Sequence, residues 1–86
     1  MKFYYVYVLL SLKDGNFYTG YSNDLKRRLG EHQAGLVDST RDRGPLELIY
    51  YEACRVQADA TRREAYLKTA WGKRFIKGRL RHYLTG

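Results

Sequence analysis

The chain has 86 residues and carries 16 Lys and Arg against 9 Asp and Glu, a net charge of +7, with 44% hydrophobic and 29% charged residues. A chain of this length buries roughly 60–65% of its unfolded surface, which leaves one domain over residues 1–86 and excludes a second core or a deep multi-substrate cavity. The hydrophobic share excludes a disordered polyelectrolyte, and no run of 18 apolar residues is present to span a membrane.

The charge is unevenly placed. Residues 1–61 hold eight basic and eight acidic side chains, whereas residues 62–86 hold eight basic side chains and a single acid, Glu64. A basic C-terminal block implies a polyanionic partner. Cys54 is the only cysteine, which excludes an intrachain disulfide and a Cys-rich zinc site. Met1-Lys2 and the apolar stretch to Leu12 imitate a short signal peptide, but tyrosines interrupt the stretch and no small-residue cleavage site follows. The expected compartment is the cytoplasm.

In chain order, Phe3 to Leu10 is aromatic and β-branched on both faces and reads as a central strand. Asp14-Gly15 is a two-residue hairpin signal, with Asn16 to Tyr21 returning as the second strand. That turn sets Ser11 opposite Tyr18 and Leu9 opposite Gly20, with Tyr7 and Tyr18 on one face, diagonal across the bare Gly20. Ser22-Asn23-Asp24 offers N-caps for a helix from Leu25 to Ala34 that stops at Gly35. Leu25, Leu29 and His32 share its apolar face, and Arg28 lies at the margin.

Residues 36–45, carrying Arg41 and Arg43, read as a loop, and Leu46 to Ala53 as a third strand. A helix is expected from Gln57 to Ala70, broken or bent at Gly72, with a basic helix from Lys73 to Tyr83. Ala60, Glu64, Leu67 and Trp71 fall on one stripe of the first, which turns Glu64 toward the packing face.

Three groups can carry chemistry. Glu64 reads either as a helical partner of Lys68 at i+4 or as an inward carboxylate able to hold Mg²⁺ beside substrate phosphates. Arg28 reads as a surface residue or as a guanidinium aimed at a phosphate in its transition state. Tyr7, Tyr18 and His32 read as packing groups or as proton handlers, a phenol needing help because its ordinary pKa is near 10.

Together, Tyr5-Val6-Tyr7, Tyr18-Thr19-Gly20, Asp24-Leu25-Lys26-Arg27-Arg28-Leu29 with His32, and Ala60 with Arg63-Glu64 and Leu67-Lys68 resemble the signature of the GIY-YIG nuclease superfamily. The likeness is greatest to small stand-alone bacterial members resembling the excinuclease C endonuclease domain. It implies an α/β (α+β) sandwich, a three-stranded sheet flanked by helices in the order β-β-α-β-α-α. It also implies Mg²⁺-dependent hydrolysis of DNA phosphodiesters, with Mn²⁺ as a substitute. Carried over by position, Tyr7 and Tyr18 match the two motif tyrosines, Arg28 the catalytic arginine and Glu64 the single metal ligand. Tyr5 stands where the motif has its first Gly, and no Asn follows Asn23.

Two functions follow. In the first, Tyr7, Tyr18, Arg28, His32 and Glu64 form a nuclease site, while Arg41, Arg43, Arg63, Lys68, Lys73 and Arg74 track the DNA backbone. With no attached targeting domain, branched, flapped or damaged DNA recognised by shape is the expected substrate. In the second, the same scaffold binds nucleic acid without cutting it. Glu64 discriminates, because a pure binder gains nothing from an acid that repels phosphate. A structural or protein-binding role leaves the basic block unexplained.

Overall fold

A computed structural model describes residues 1–86. Three antiparallel strands, β1 (Tyr4–Ser11), β2 (Phe17–Ser22) and β3 (Leu46–Cys54), pair in the order β2-β1-β3, so β1 is central and β2 has a free edge. The helices are α1 (Leu25–Gln33), α2 (Gln57–Leu67), α3 (Ala70–Arg79) and a short α4 (Arg81–Thr85). The architecture is the α+β sandwich expected, with one more helix. No helix is long and apolar enough to cross a membrane.

Strand alternation builds the two layers. Val6 and Val8 point to one face, where Ala60 and Leu67 of α2 and Ile76 of α3 close over them. Tyr7 and Leu9 point to the other, joined by Leu46, with Leu25 and Leu29 of α1 and Tyr18 packed against them. A central strand apolar on both faces is thus what a sheet covered on both sides requires.

The β1–β2 hairpin differs from its expected register. Tyr7 pairs with Gly20 and Leu9 with Tyr18, two residues away from the predicted alignment. The turn is longer than Asp14-Gly15: Ser11 N–H donates to the Asn16 carbonyl at 2.9 Å and Gly15 N–H to the Ser11 carbonyl at 2.8 Å, leaving four residues in the loop. Asp14 Oδ1 accepts from Asn16 N–H at 2.9 Å inside it. Because the slip is even, every side chain keeps its face, and Tyr7 and Tyr18 still share one.

The C-terminal helices also break elsewhere than expected. The interruption falls at Lys68-Thr69, where the Thr69 hydroxyl caps α3 by accepting from Gly72 N–H at 3.1 Å. Gly72 sits inside the first turn of α3 because a Cβ there would collide with the Tyr66 and Leu67 backbone. The break also removes Trp71 from the α2 stripe, and it is 66% exposed instead of packed. A second interruption at Leu80 splits the expected basic helix into α3 and α4.

Candidate active site at the β2 edge

The end of β2 and the start of α1 form one continuous piece of scaffold. Ser22 Oγ accepts from Asp24 N–H at 2.9 Å, and Asp24 Oδ1 caps α1 by accepting from Arg27 N–H at 3.1 Å. α1 ends in a paired closure, Gly35 N–H to the His32 carbonyl and Leu36 N–H to the Glu31 carbonyl. The helix is therefore pinned at both ends, with Arg28 and His32 one turn apart over the Tyr7 face.

Tyr7 is fully buried, and its ring crosses β1's partner strand over Gly20, where any Cβ would overlap the phenol. That crossing carries the hydroxyl to His32, whose Nε2 lies 2.8 Å away. His32 Nδ1 is in turn 2.7 Å from Thr40 Oγ1, and the Thr40 hydroxyl leans toward the Val37 carbonyl at 3.5 Å. Assigned from this network, Thr40 accepts from Nδ1–H and leaves Nε2 free to accept the Tyr7 proton. Tyr18 completes the cluster, its ring centroid 5.2 Å from His32 and 6.5 Å from Tyr7.

Electrostatics fix the resting protonation. Burial raises the Tyr7 phenol above its ordinary value, the neighbouring Arg28 guanidinium pulls it back, and the Tyr18 and Glu64 charges push it up again. Burial, helped by Arg28, lowers His32. At neutral pH the pair is a phenol facing a neutral imidazole. Arg28 itself is held by Glu31, donating to Oε1 at 2.9 Å, while Arg27 donates to Oε2 at 2.8 Å. That contact with Arg28 is the main reason Glu31 lies below the usual carboxylate range.

Glu64 approaches from α2, on the opposite side of the sheet. Its side chain is 22% exposed and meets Lys68 Nζ at 3.1 Å, the i+4 partner its spacing offers. Its charge is felt at Tyr7 and Tyr21. An open recess of about 350 Å³ at this end of β2 is lined by Tyr21, Ser22, Arg28 and Gln57 among others. No group of three or more His, Cys, Asp or Glu is gathered anywhere for a metal cage. A single carboxylate does fit a Mg²⁺ ion that keeps most of its waters and completes its shell with substrate phosphate.

The family model described as the GIY-YIG catalytic domain matches residues 3–83. The chain belongs to the GIY-YIG family. A UPF0213 protein of Clostridium perfringens is 42% identical over 65 residues, covering 74% of this chain and 69% of that one. A UPF0213 protein of Halobacterium salinarum is 41% identical over 66 residues, covering 76% and 84%. The solution NMR structure of the UPF0213 protein BH0048 from Bacillus halodurans superposes with a TM-score of 0.56 at 35% identity, covering 88% of this chain and 83% of that one. GIY-YIG domains are nuclease domains, so nucleic acid is the substrate class.

The basic residues expected to contact nucleic acid divide by their partners. Arg63 is clamped to Glu52 of β3, with Nε to Oε1 and Nη2 to Oε2 both at 2.9 Å, and lies 4.8 Å from the Phe75 ring centroid. Arg43 is turned onto the hairpin by Asp14 at 3.5 Å and the Phe17 carbonyl at 3.4 Å. Arg41 meets Asp38 at 3.4 Å but remains largely exposed, and Lys68 is held by Glu64. Arg74 stacks over Trp71 at 4.8 Å, and Lys73 makes no ion pair. Sequence reasoning missed Thr40 and Glu31. Glu31 was readable, since i+3 from Arg28 and i+4 from Arg27 is ion-pair spacing. Thr40 carried no signal, because only the fold of the 36–45 loop brings it to His32.

Proposed function

We propose that residues 1–86 act as one divalent-metal-dependent endonuclease domain that hydrolyses DNA phosphodiesters. The substrate is selected by shape, a branch, flap or lesion, with little sequence specificity. The single cysteine suits work in the cytoplasm. The observation that carries the reading is the Tyr7–His32–Thr40 chain of hydrogen bonds beside Arg28.

In this reading Arg28 leaves Glu31 for the phosphate and offers its guanidinium to the charge that grows there. Its departure uncovers the Tyr7 hydroxyl. Tyr7, too weakly acidic to ionise alone, accepts a proton from the attacking water while passing its own to His32 Nε2. The imidazolium that forms keeps its Nδ1–H on Thr40 and needs no ring movement. Tyr18, half-buried on the same face, orients the water. Glu64 would hold the divalent ion, Mg²⁺ or Mn²⁺, whose contribution when bound is to stabilise the departing oxygen.

The Glu64–Lys68 pair at 3.1 Å gives the non-catalytic binding module its one specific support, because it satisfies Glu64 without a metal. Plasmid nicking in Mg²⁺ or Mn²⁺ separates the two. Nicking by the wild type that Arg28→Ala and Glu64→Ala abolish supports the nuclease. Binding without nicking on branched, flapped and damaged substrates supports the binding module, and nicking that survives both substitutions removes this site.

A further inference from the structure

A second concave surface lies at the other end of β2, on the α3 side of the sheet and away from the site above. It encloses about 510 Å³ between the hairpin turn and helices α3 and α4. Its apolar wall is Leu10, Phe17 and Leu84, and its rim is Lys73, Lys77 and Arg81. Lys73 and Lys77 stand one turn apart on α3, and Arg81 begins α4. No carboxylate lines the groove, and none of these three cations is in an ion pair. Arg27, Arg28, Arg43, Arg63 and Lys68, by contrast, all have acidic partners.

Three uncompensated cations above an aromatic and aliphatic wall ask for a ligand that is anionic at one edge and flat and apolar at the other. Isolated phosphate does not use the wall, and a fatty acyl chain does not use three cations. A duplex presents phosphates on a convex surface and keeps its bases stacked inside. A single strand offers both, phosphates to Lys73, Lys77 and Arg81 and an unstacked base to Phe17. A volume of this size lies in the range of small-ligand sites and accommodates one or two nucleotides.

We propose that this groove binds unpaired nucleotides of single-stranded nucleic acid. Phe17 and Tyr21, which lines the recess beside Arg28, are four residues apart on β2, about 13 Å along the strand. One strand reaches from groove to recess within a few nucleotides. Resting on the nuclease reading, this makes the preferred substrate one with an unpaired strand next to the scissile bond.

Fluorescence anisotropy in EDTA tests the groove apart from cleavage. The probes are labelled 12-nucleotide oligothymidylate, oligouridylate and a blunt duplex of the same length. The expected result is a loss of at least about tenfold in single-strand affinity for K77A/R81A, with the salt slope reduced by about 1.4 for two lost phosphate contacts. Phe17→Leu should lose at least about fivefold, the low end for one base–aromatic stack. Duplex binding should change less than about twofold in both variants, and the tighter of the two oligomers names DNA or RNA as the source. Equal losses on single strand and duplex, or no loss on either, overturn the proposal. Failure here leaves Glu64-dependent nicking standing, and failure of nicking leaves this binding standing.

Discussion

The Tyr7 hydroxyl lies 2.8 Å from His32 Nε2, and it reaches that distance only by passing over Gly20. The glycine of the second motif half is therefore a steric requirement of the first motif's tyrosine. Gly20→Ala forces the phenol out of a fully buried position. The substitution should cost about 1–3 kcal/mol of stability, the usual range for overpacking a core. Urea denaturation checks the stability, and plasmid nicking should fall by more than tenfold in the same protein.

His32 predicts a pH dependence of definite sign. Its folded-state pKa is lowered, by burial first and Arg28 second, relative to about 6.5 in the unfolded chain. Between those two values the unfolded chain binds the extra proton, so stability is full above about pH 6.5 and is lost as pH falls toward the folded pKa. Thermal melts of the wild type should drop across that window, whereas His32→Gln should be flat through it. The facing groups do not blur the comparison: Tyr7 and Arg28 are both raised and titrate far above it, and Glu31, lowered by Arg28, acts at lower pH.

Thr40 holds the tautomer that lets Nε2 accept. Thr40→Val removes the acceptor of the buried Nδ1–H, which shifts the proton to Nε2 and leaves the Tyr7 hydroxyl without its acceptor, a loss of about 1–3 kcal/mol. Thr40→Ser restores the oxygen and should recover both the stability and the wild-type tautomer, read from the ¹⁵N shifts of the His32 ring. A wild-type tautomer in Thr40→Val contradicts the assignment.

Arg28 is partly exposed and paired only with neighbours on its own helix and at the Tyr7 hydroxyl. Arg28→Ala should therefore cost less than about 1 kcal/mol of stability. Nicking should fall at least about a hundredfold, as for loss of a charge-stabilising group in a transition state. Calorimetry and nicking on one preparation separate the two effects.

Much of this architecture is legible in the sequence, and the exceptions have physical causes. Strand alternation places Tyr7 and Tyr18 on one face, and that result is indifferent to the turn because the register differs by an even number of residues. The isolation of Glu64 among eight cations marks it without any structure. Asp14-Gly15 is a strong local signal for a two-residue turn, but the four-residue loop is closed by backbone bonds from Ser11 and Gly15 that no local pattern encodes. Gly72 has the composition of a helix breaker, yet the break belongs to Thr69, whose hydroxyl replaces the lost helical partner. Arg63 reads as a free cation because Glu52 is on another element, and only the packing of α2 on β3 brings the two together.

The most direct measurement is single-turnover nicking of supercoiled plasmid in Mg²⁺ by Glu64→Gln. The substitution keeps the shape of the side chain and removes its charge. With circular dichroism unchanged and DNA binding equal or tighter, because a negative charge has been taken from a basic surface, the nicking rate should fall by at least about a hundredfold, the scale of losing one transition-state charge stabiliser. A wild-type nicking rate in Glu64→Gln contradicts a metal-dependent site built on this carboxylate.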